Sequence, residues 1–345
     1  MTIRFRQLDE ATRLPFEQLL THVWPHRSAD FQAAVVRWRY YTRPANGGTW
    51  LAFDGDRCVA LIDSFLRAYL LDGRRLLVRE TCEWFCLPEY RPRGIGTLLM
   101  RKMMAGAEPI FGISGTAASL AMFPRLRWRA LEPVQKWLLA VKARTLLGSL
   151  LRAKWPPGEA VAKFIPNAIP IRPRPRLVMP SRGIAEVRDM YEAAAVPLPS
   201  PRPEGLVQIL DQADRDWLAK MPSRLARPIG LVFLLNGESV GASFSQLEPA
   251  ASGIEGRIVH LQIACGAAQE IFNWVVTETA RRLVDAGAGI IRCWASVPEK
   301  IAALRQAGFM MIRLEPTYWW SRDRSPAPAR IDAGYLRADD AIPFH

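Results

Sequence analysis

The stretch from Val78 to Ala105 limits what this chain can fold into more than any other. From Leu76 to Leu87 most residues are β-branched, aromatic, aliphatic or Cys, the pattern of a mostly buried strand. Pro88 removes a ladder donor and ends it. From Thr97 the period changes: Leu98, Leu99, Met103 and Met104 share one helical face, with Arg101 and Lys102 off it. Between strand and helix lies Arg91-Pro92-Arg93-Gly94-Ile95-Gly96, and Thr97 is placed to cap the helix. A glycine-bearing turn feeding a helix presents unpaired N–H groups at the positive end of the helix dipole. Such a turn suits a phosphate or pyrophosphate. The same spacing alone also serves a plain tight turn, so the flanks decide.

Those flanks, a strand, Pro-Glu-Tyr-Arg, Arg-Gly-Ile-Gly and an amphipathic helix, resemble the acyl-CoA-binding core motif of the GNAT N-acyltransferases. The resemblance implies that Arg91, Arg93, Gly94, Ile95, Gly96 and Thr97 hold the pyrophosphate of coenzyme A. Pro92 departs from it, since a proline has no N–H to offer a phosphate. It further implies that backbone groups of Cys86 and Leu87, at a bulge before the loop, meet the acyl carbonyl. Glu80 stands where histone-acetylating members carry a glutamate base, and Thr116 where relatives place an Asn against the CoA arm. At the position of the family's Tyr acid this chain has Phe123, with Trp128 replacing the following Phe. Ser114, Thr116, Ser119 or water is then left to protonate the leaving thiolate.

Apart from any resemblance, Glu80 is unusual: a carboxylate on a strand face otherwise formed by Val78, Cys82 and Trp84. Burial raises a carboxyl pKa, which suits a base near neutrality. Pairing with Arg67 or Arg79, or exposure at a strand end, accounts for it equally. Glu83, expected on the opposite face, is the second candidate. His22 and His26 flank Trp24 and are expected at the surface or near an acceptor.

A chain of 345 residues suggests two domains. Residues 1–142 follow the order β-αα-βββ-α-β-α-β, which is that of the GNAT fold. Residues 181–322 repeat the layout, with an Asn236-Gly237 hairpin and a Gly308-Phe309 pair similar to the family's terminal Gly-Phe. Their counterpart of the phosphate loop, Ile263 to Gln269, has no basic residue and no G-x-G. The expected fold class is therefore α/β (α+β): two tandem GNAT-like domains, each a mixed, mostly antiparallel sheet flanked by helices, the second copy degenerate. A connector over 143–180 joins them, and 323–345 reads as a poorly ordered tail.

The formal charge of +13 points to anionic partners. Much of it lies around the connector, where nine Lys and Arg in residues 131–180 stand against Glu132 and Glu159. Leu146, Leu147, Leu150 and Leu151 form a stripe there, so 143–155 reads as a basic amphipathic segment on anionic lipid or as a helix docking the domains. No nucleic-acid module accompanies the charge, which argues against that partner. Five cysteines in apolar runs read as reduced, buried thiols of a cytoplasmic protein. No second Cys/His pair joins Cys82 and Cys86, so no metal is expected. The N-terminus lacks the apolar core of a signal peptide, and no run is long enough to span a membrane.

The expectation is an acyl-CoA-dependent N-acyltransferase with acetyl-CoA as co-substrate and a small-molecule amine as acceptor. Trp38, Tyr40 and Pro44 with the tandem layout are similar to GNAT proteins of polysaccharide pathways, which implies an amino sugar. The alternative is a non-catalytic GNAT-fold protein that binds CoA or a membrane surface.

Overall fold

The computed structural model describes residues 2–25, 28–43, 48–154, 161–162, 164–166, 169–171, 175–191, 196–202, 204–250, 252–323, 327–332 and 334. His26, Pro44 and the connector residues Lys163, Arg172 and Arg174 lie outside the described residues, as do the side chains of Arg152 and Lys154. The first half runs β1 (Ile3–Gln7), α1 (Arg13–Val23) and α2 (Ala29–Val35), which continues as a π-helical turn over Val36–Tyr41. Then come β2 (Trp50–Asp54), β3 (Arg57–Leu71), β4 (Arg74–Cys86), α3 (Ile95–Met104), β5 (Ile110–Ile113), α4 (Ala117–Arg125) and β6 (Arg129–Ala140). After α5 (Ala143–Lys154) the second half supplies β7 (Ala185–Asp189), β8 (Leu206–Gln208) and α6 (Gln212–Ala219). It continues with β9 (Arg227–Leu235), β10 (Glu238–Ala250), β11 (Gly253–Ile263), α7 (Gln269–Asp285), β12 (Ala288–Ala295), α8 (Pro298–Gln306), β13 (Met310–Trp320) and β14 (Ile331–Asp332).

Twelve strands form one sheet in the order β1-β2-β3-β4-β5-β13-β6-β12-β11-β10-β9-β7, with β8 added to β3 and β14 to β8. Pairing is antiparallel except between β4 and β5, β11 and β12, and β8 and β14. The halves exchange their last strands. β13 of the second half lies between β5 and β6, and β6 of the first half pairs with β12. A cut at residue 142 divides the chain but not the hydrogen-bonded sheet. The hairpin between β9 and β10 turns through Asn236 and Gly237 at φ of 53° and 82°, the primed turn that Asn-Gly favours.

Each half carries a break that opens its sheet. In β4 the register against β3 slips between Leu61 and Asp63, and Glu83 there takes a φ of 39°. This bulge bends β4 away from β5. The two strands pair only at Arg79 with Ile110 and Glu80 with Phe111 before they separate. The second half repeats the slip between Phe244 and Ser245, opposite β11.

Two expectations about the ends of the domains change. The docking face of α5 is not the leucine stripe: the Thr145 hydroxyl donates to the Ser252 carbonyl, and Arg292 donates to Ser149. Leu147 and Leu150 are left 39% and 53% exposed, because small polar residues allow the closer approach to the sheet. The tail is partly a strand, since Ile331 is buried and β14 runs parallel to β8. The apolar Ile331 supplies the burial that holds it. Four cysteines are buried, but Cys265 is exposed in the turn after β11.

The second half also buries His260. Burial first, then the Lys300 charge, pushes its imidazole down from 6.5 to about 4. The folded chain therefore keeps His260 neutral while the unfolded chain gains a proton below pH 6.5. The associated stability is complete above that pH and is lost as pH falls toward 4, by up to roughly 3 kcal/mol. Urea unfolding across this window should show the loss in the native chain and a flatter profile in His260→Gln. Equal slopes would remove His260 as the cause.

Candidate functional site

Between β4 and α3 the chain makes a 3₁₀ turn over Pro88–Arg93 and enters the helix through Gly94 at φ 69°. A Cβ at Gly94 would meet nothing within 4 Å, and no side chain caps the helix. Thr97, expected as the cap, sits instead at the third helical position, because the left-handed Gly94 starts the helix earlier than the side-chain period suggests. The turn is tied down from behind: Arg91 Nε donates to the Cys86 carbonyl at 3.0 Å, and Ile95 is buried. The Tyr90 hydroxyl donates to Asp54 at 2.8 Å, and Arg93 lies over the Tyr90 ring. Trp84 Nε1 donates to the Gly96 carbonyl at 3.0 Å, so close that a Cβ at Gly96 would sit 3.0 Å from that nitrogen.

Not every amide of the turn faces outward. The Gly94 amide returns to the Arg91 carbonyl, and that of Gly96 lies near the Cys86 thiol. Burial raises that thiol above its ordinary pKa. The Leu87 amide donates to the Val59 carbonyl, so the expectation that Leu87 offers its N–H to an acyl oxygen is corrected. The sheet already holds that donor.

Where β4 and β5 part, a cleft of about 370 Å³ opens. Thr81 to Trp84 line one wall; Gly112 to Thr116, with Ser119 and Phe123, line the other. Thr116 stands at its edge, but its hydroxyl caps α4 by accepting from the Ser119 amide at 3.3 Å. Phe123 is buried against Trp128 and against Tyr318, which arrives from the exchanged strand β13.

The bulge changes the roles of the two glutamates. Simple alternation puts Glu83 opposite Glu80, yet the bulge turns it toward α2, where the Tyr40 hydroxyl donates to it and Arg39 Nη1 lies 3.4 Å away. Glu83 lines the cleft. Burial pushes the Tyr40 phenol well above its usual range, so it remains a donor. Arg39 also holds Asp63 at 3.2 Å, and Arg43 and Thr49 reach the other oxygen of Asp63 at 2.9 and 2.7 Å. Burial alone would raise the Asp63 pKa, but Arg43, Arg39 and Thr49 outweigh it and hold the carboxyl below its ordinary value. Tyr40, Arg43 and Thr49 line a second cleft of about 400 Å³, reached past Asp9, Glu10 and Arg13. The Tyr40–Glu83 hydrogen bond thus joins two clefts that share no lining residue.

Glu80 lines neither cleft. It is fully buried, accepting from Tyr69 at 2.5 Å and from Gln208 of the second half at 2.6 Å. Beside it Arg67 is ion-paired with Asp214, and Trp38 stacks on Trp217 at 4.2 Å with reciprocal indole-to-carbonyl hydrogen bonds. The second half seals that region of the sheet. His22 hydrogen-bonds Thr21 at the surface and lines neither cleft. Arg39, Arg43, Thr49 and Asp63 escaped the sequence reading, and Tyr40 entered it only through the resemblance to polysaccharide-pathway proteins. A lone Asp in the apolar run of β3 was the signal, of the same kind that singled out Glu80. No group of three or more His, Cys, Asp or Glu among the described residues is placed to hold a metal.

No protein-family model and no curated sequence matches the chain. Solved structures do. A GCN5-related N-acetyltransferase from Anabaena variabilis superposes with a TM-score of 0.56 at 9% identity, over 92% of this chain and 72% of that one. A tandem GNAT protein from the clavulanic acid pathway gives 0.51 at 11% identity, covering 94% of this chain and 100% of the other. The chain has the tandem GNAT fold. N-myristoyltransferase from Saccharomyces cerevisiae, solved with myristoyl-CoA, is similar as well: TM-score 0.59, 8% identity, 92% and 82% covered. In this GNAT fold Trp84 lines the cleft between β4 and β5 and donates to Gly96 in the first turn of the uncapped α3, which ties the two together. Among the described residues no helix is long and apolar enough to cross a membrane.

Proposed function

We propose that the first half is an acyl-CoA-dependent N-acyltransferase acting on a small amine. One observation carries this reading: an uncapped helix end behind an open left-handed glycine is tied through Trp84 to a cleft whose wall presents a glutamate. The diphosphate of the donor lies against the first-turn amides of Ile95 and Thr97, with Arg93 near, where the helix end contributes about 0.3–1 kcal/mol. The pantetheine arm follows the gap between β4 and β5 past Thr116. The amine enters from the second cleft, and Glu83 takes its proton. The nitrogen then attacks the thioester carbon, the new C–N bond replaces the C–S bond, and the thiolate leaves. Phe123 has no proton to return, so water admitted along the cleft supplies it. Acetyl-CoA is the donor assigned, and an amino sugar fits the mixture of Arg13, Glu10 and tyrosines around the second cleft.

The alternative, a GNAT-fold protein at a membrane surface, is favoured by the exposed Leu147 and Leu150 of α5. Calorimetry with acetyl-CoA followed by a thiol-release assay against a panel of amines tests the choice. The transferase reading expects one donor per chain and CoA thiol release that requires an amine. Failure to bind at millimolar donor sinks it, and binding without turnover leaves the alternative.

A further inference from the structure

The second half repeats the parting of strands, yet almost no space remains in it. β11 and β12 pair as far as Ile258 with Cys293 and then separate, as β4 and β5 do. The void left among Ile263, Gly266, Phe272, Val297 and Lys300 is about 30 Å³, against about 370 Å³ in the first half. Two stretches of the chain itself fill the difference. Over the turn after β11, the Cys265 amide donates to the Ser200 carbonyl at 2.8 Å, and Arg202 pairs with Glu299 at 3.0 Å. Across the opening run Arg330, Ile331 and Asp332, with Gly334 beyond them. The Ser296 hydroxyl donates to the Ile331 carbonyl at 2.5 Å, and Arg330 donates to Glu299 at 3.1 Å. Gly334 packs on the Val259 carbonyl. The buried Lys300 ammonium spans the gap, donating to the Leu261 carbonyl at 2.7 Å and to Asp332 at 2.6 Å. On its other edge the segment adds as a strand to β8.

We propose that the second half keeps its parted strands as a binding site for an extended, carboxylate-bearing peptide, and that Arg330, Ile331, Asp332 and Gly334 of this chain occupy it in cis. Three features argue for recognition rather than accidental packing. Main-chain groups are met along both edges, as in strand addition. The Asp332 carboxylate of the segment falls on the buried Lys300 ammonium, where removal from water makes a matched pair necessary. Ile331 fills an apolar position at 3% exposure. The assignment needs only the repeat of the fold and holds whatever the first half catalyses. It also links the halves, because Gln208 accepts from the Gly334 amide at 3.5 Å while donating to Glu80.

Hydrogen exchange read by mass spectrometry on the full chain tests it. Amides of 331–332 and 206–208 should exchange at least about a hundredfold more slowly than an unstructured peptide. Asp332→Lys and Lys300→Met should each raise exchange tenfold or more in both segments together, with α3 unchanged. A synthetic peptide of residues 327–337 should then bind the Asp332→Lys protein and compete at least tenfold less well on the native chain. Unprotected 331–332 in the native chain overturns the proposal before any variant is made. Protection unchanged in both variants, or a peptide that binds neither protein, overturns it as well.

Discussion

Glu83→Gln is expected to lower turnover about a hundredfold to a thousandfold while donor affinity stays within about threefold. A positioned base contributes roughly 10²–10⁴-fold. Of the two glutamates on β4, Glu83 alone lines the cleft, beside the Tyr40 hydroxyl and Arg39. Gln keeps the volume and still accepts from Tyr40, so the donor site should not sense the change. Equal losses in kcat and kcat/KM would mark an interaction made only as the amine reacts. Glu80→Gln is the control: its carboxyl is enclosed by Tyr69 and Gln208, so turnover should move less than about threefold while stability drops. Steady-state kinetics on both variants decide the matter. If Glu80→Gln carries the large loss and Glu83→Gln does not, Glu83 is not the base.

Arg67→Met is expected to destabilise the fold by about 3–5 kcal/mol, the cost of leaving a buried partner charge uncompensated. Arg67 is 2% exposed, lies over Phe65 and Trp217, and is ion-paired with Asp214 of α6, itself 4% exposed. The pair joins β3 of the first half to the segment that covers Glu80. Replacing both partners, Arg67→Met with Asp214→Leu, should recover most of the loss, because two apolar side chains cost far less than one stranded carboxylate. Urea unfolding of the two single variants and the double variant closes the cycle. A loss under about 1 kcal/mol in the single variant would show that water reaches Asp214.

The turn around Gly94 was readable because its signals are local. Pro88 stops a strand, glycine permits φ 69°, and the leucine and methionine period starts a helix within a few residues. Asn236-Gly237 was readable for the same reason. The roles of Glu80 and Glu83 were not. Alternation assigns them to opposite faces, and only a one-residue slip against β3 turns Glu83 toward Tyr40. A bulge is a compromise between two strands, so neither strand's sequence announces it. Leu87 shows the same limit, since whether its amide is free depends on Val59 across the ladder.

By itself the sequence determined the repeated order of elements, the class of fold and the glycine turn that begins α3. Each follows from interactions within a few residues, where side-chain period and backbone freedom act directly. The tertiary structure alone decided that β6 and β13 change places, that Gln208 closes over Glu80, and that Ile331 and Asp332 lie beside Lys300. A strand's pattern says which face is buried but not which strand lies beside it. Those neighbours are distant in sequence, 32 positions for Asp332 and Lys300 and 128 for Gln208 and Glu80, and are chosen by packing rather than by local pattern.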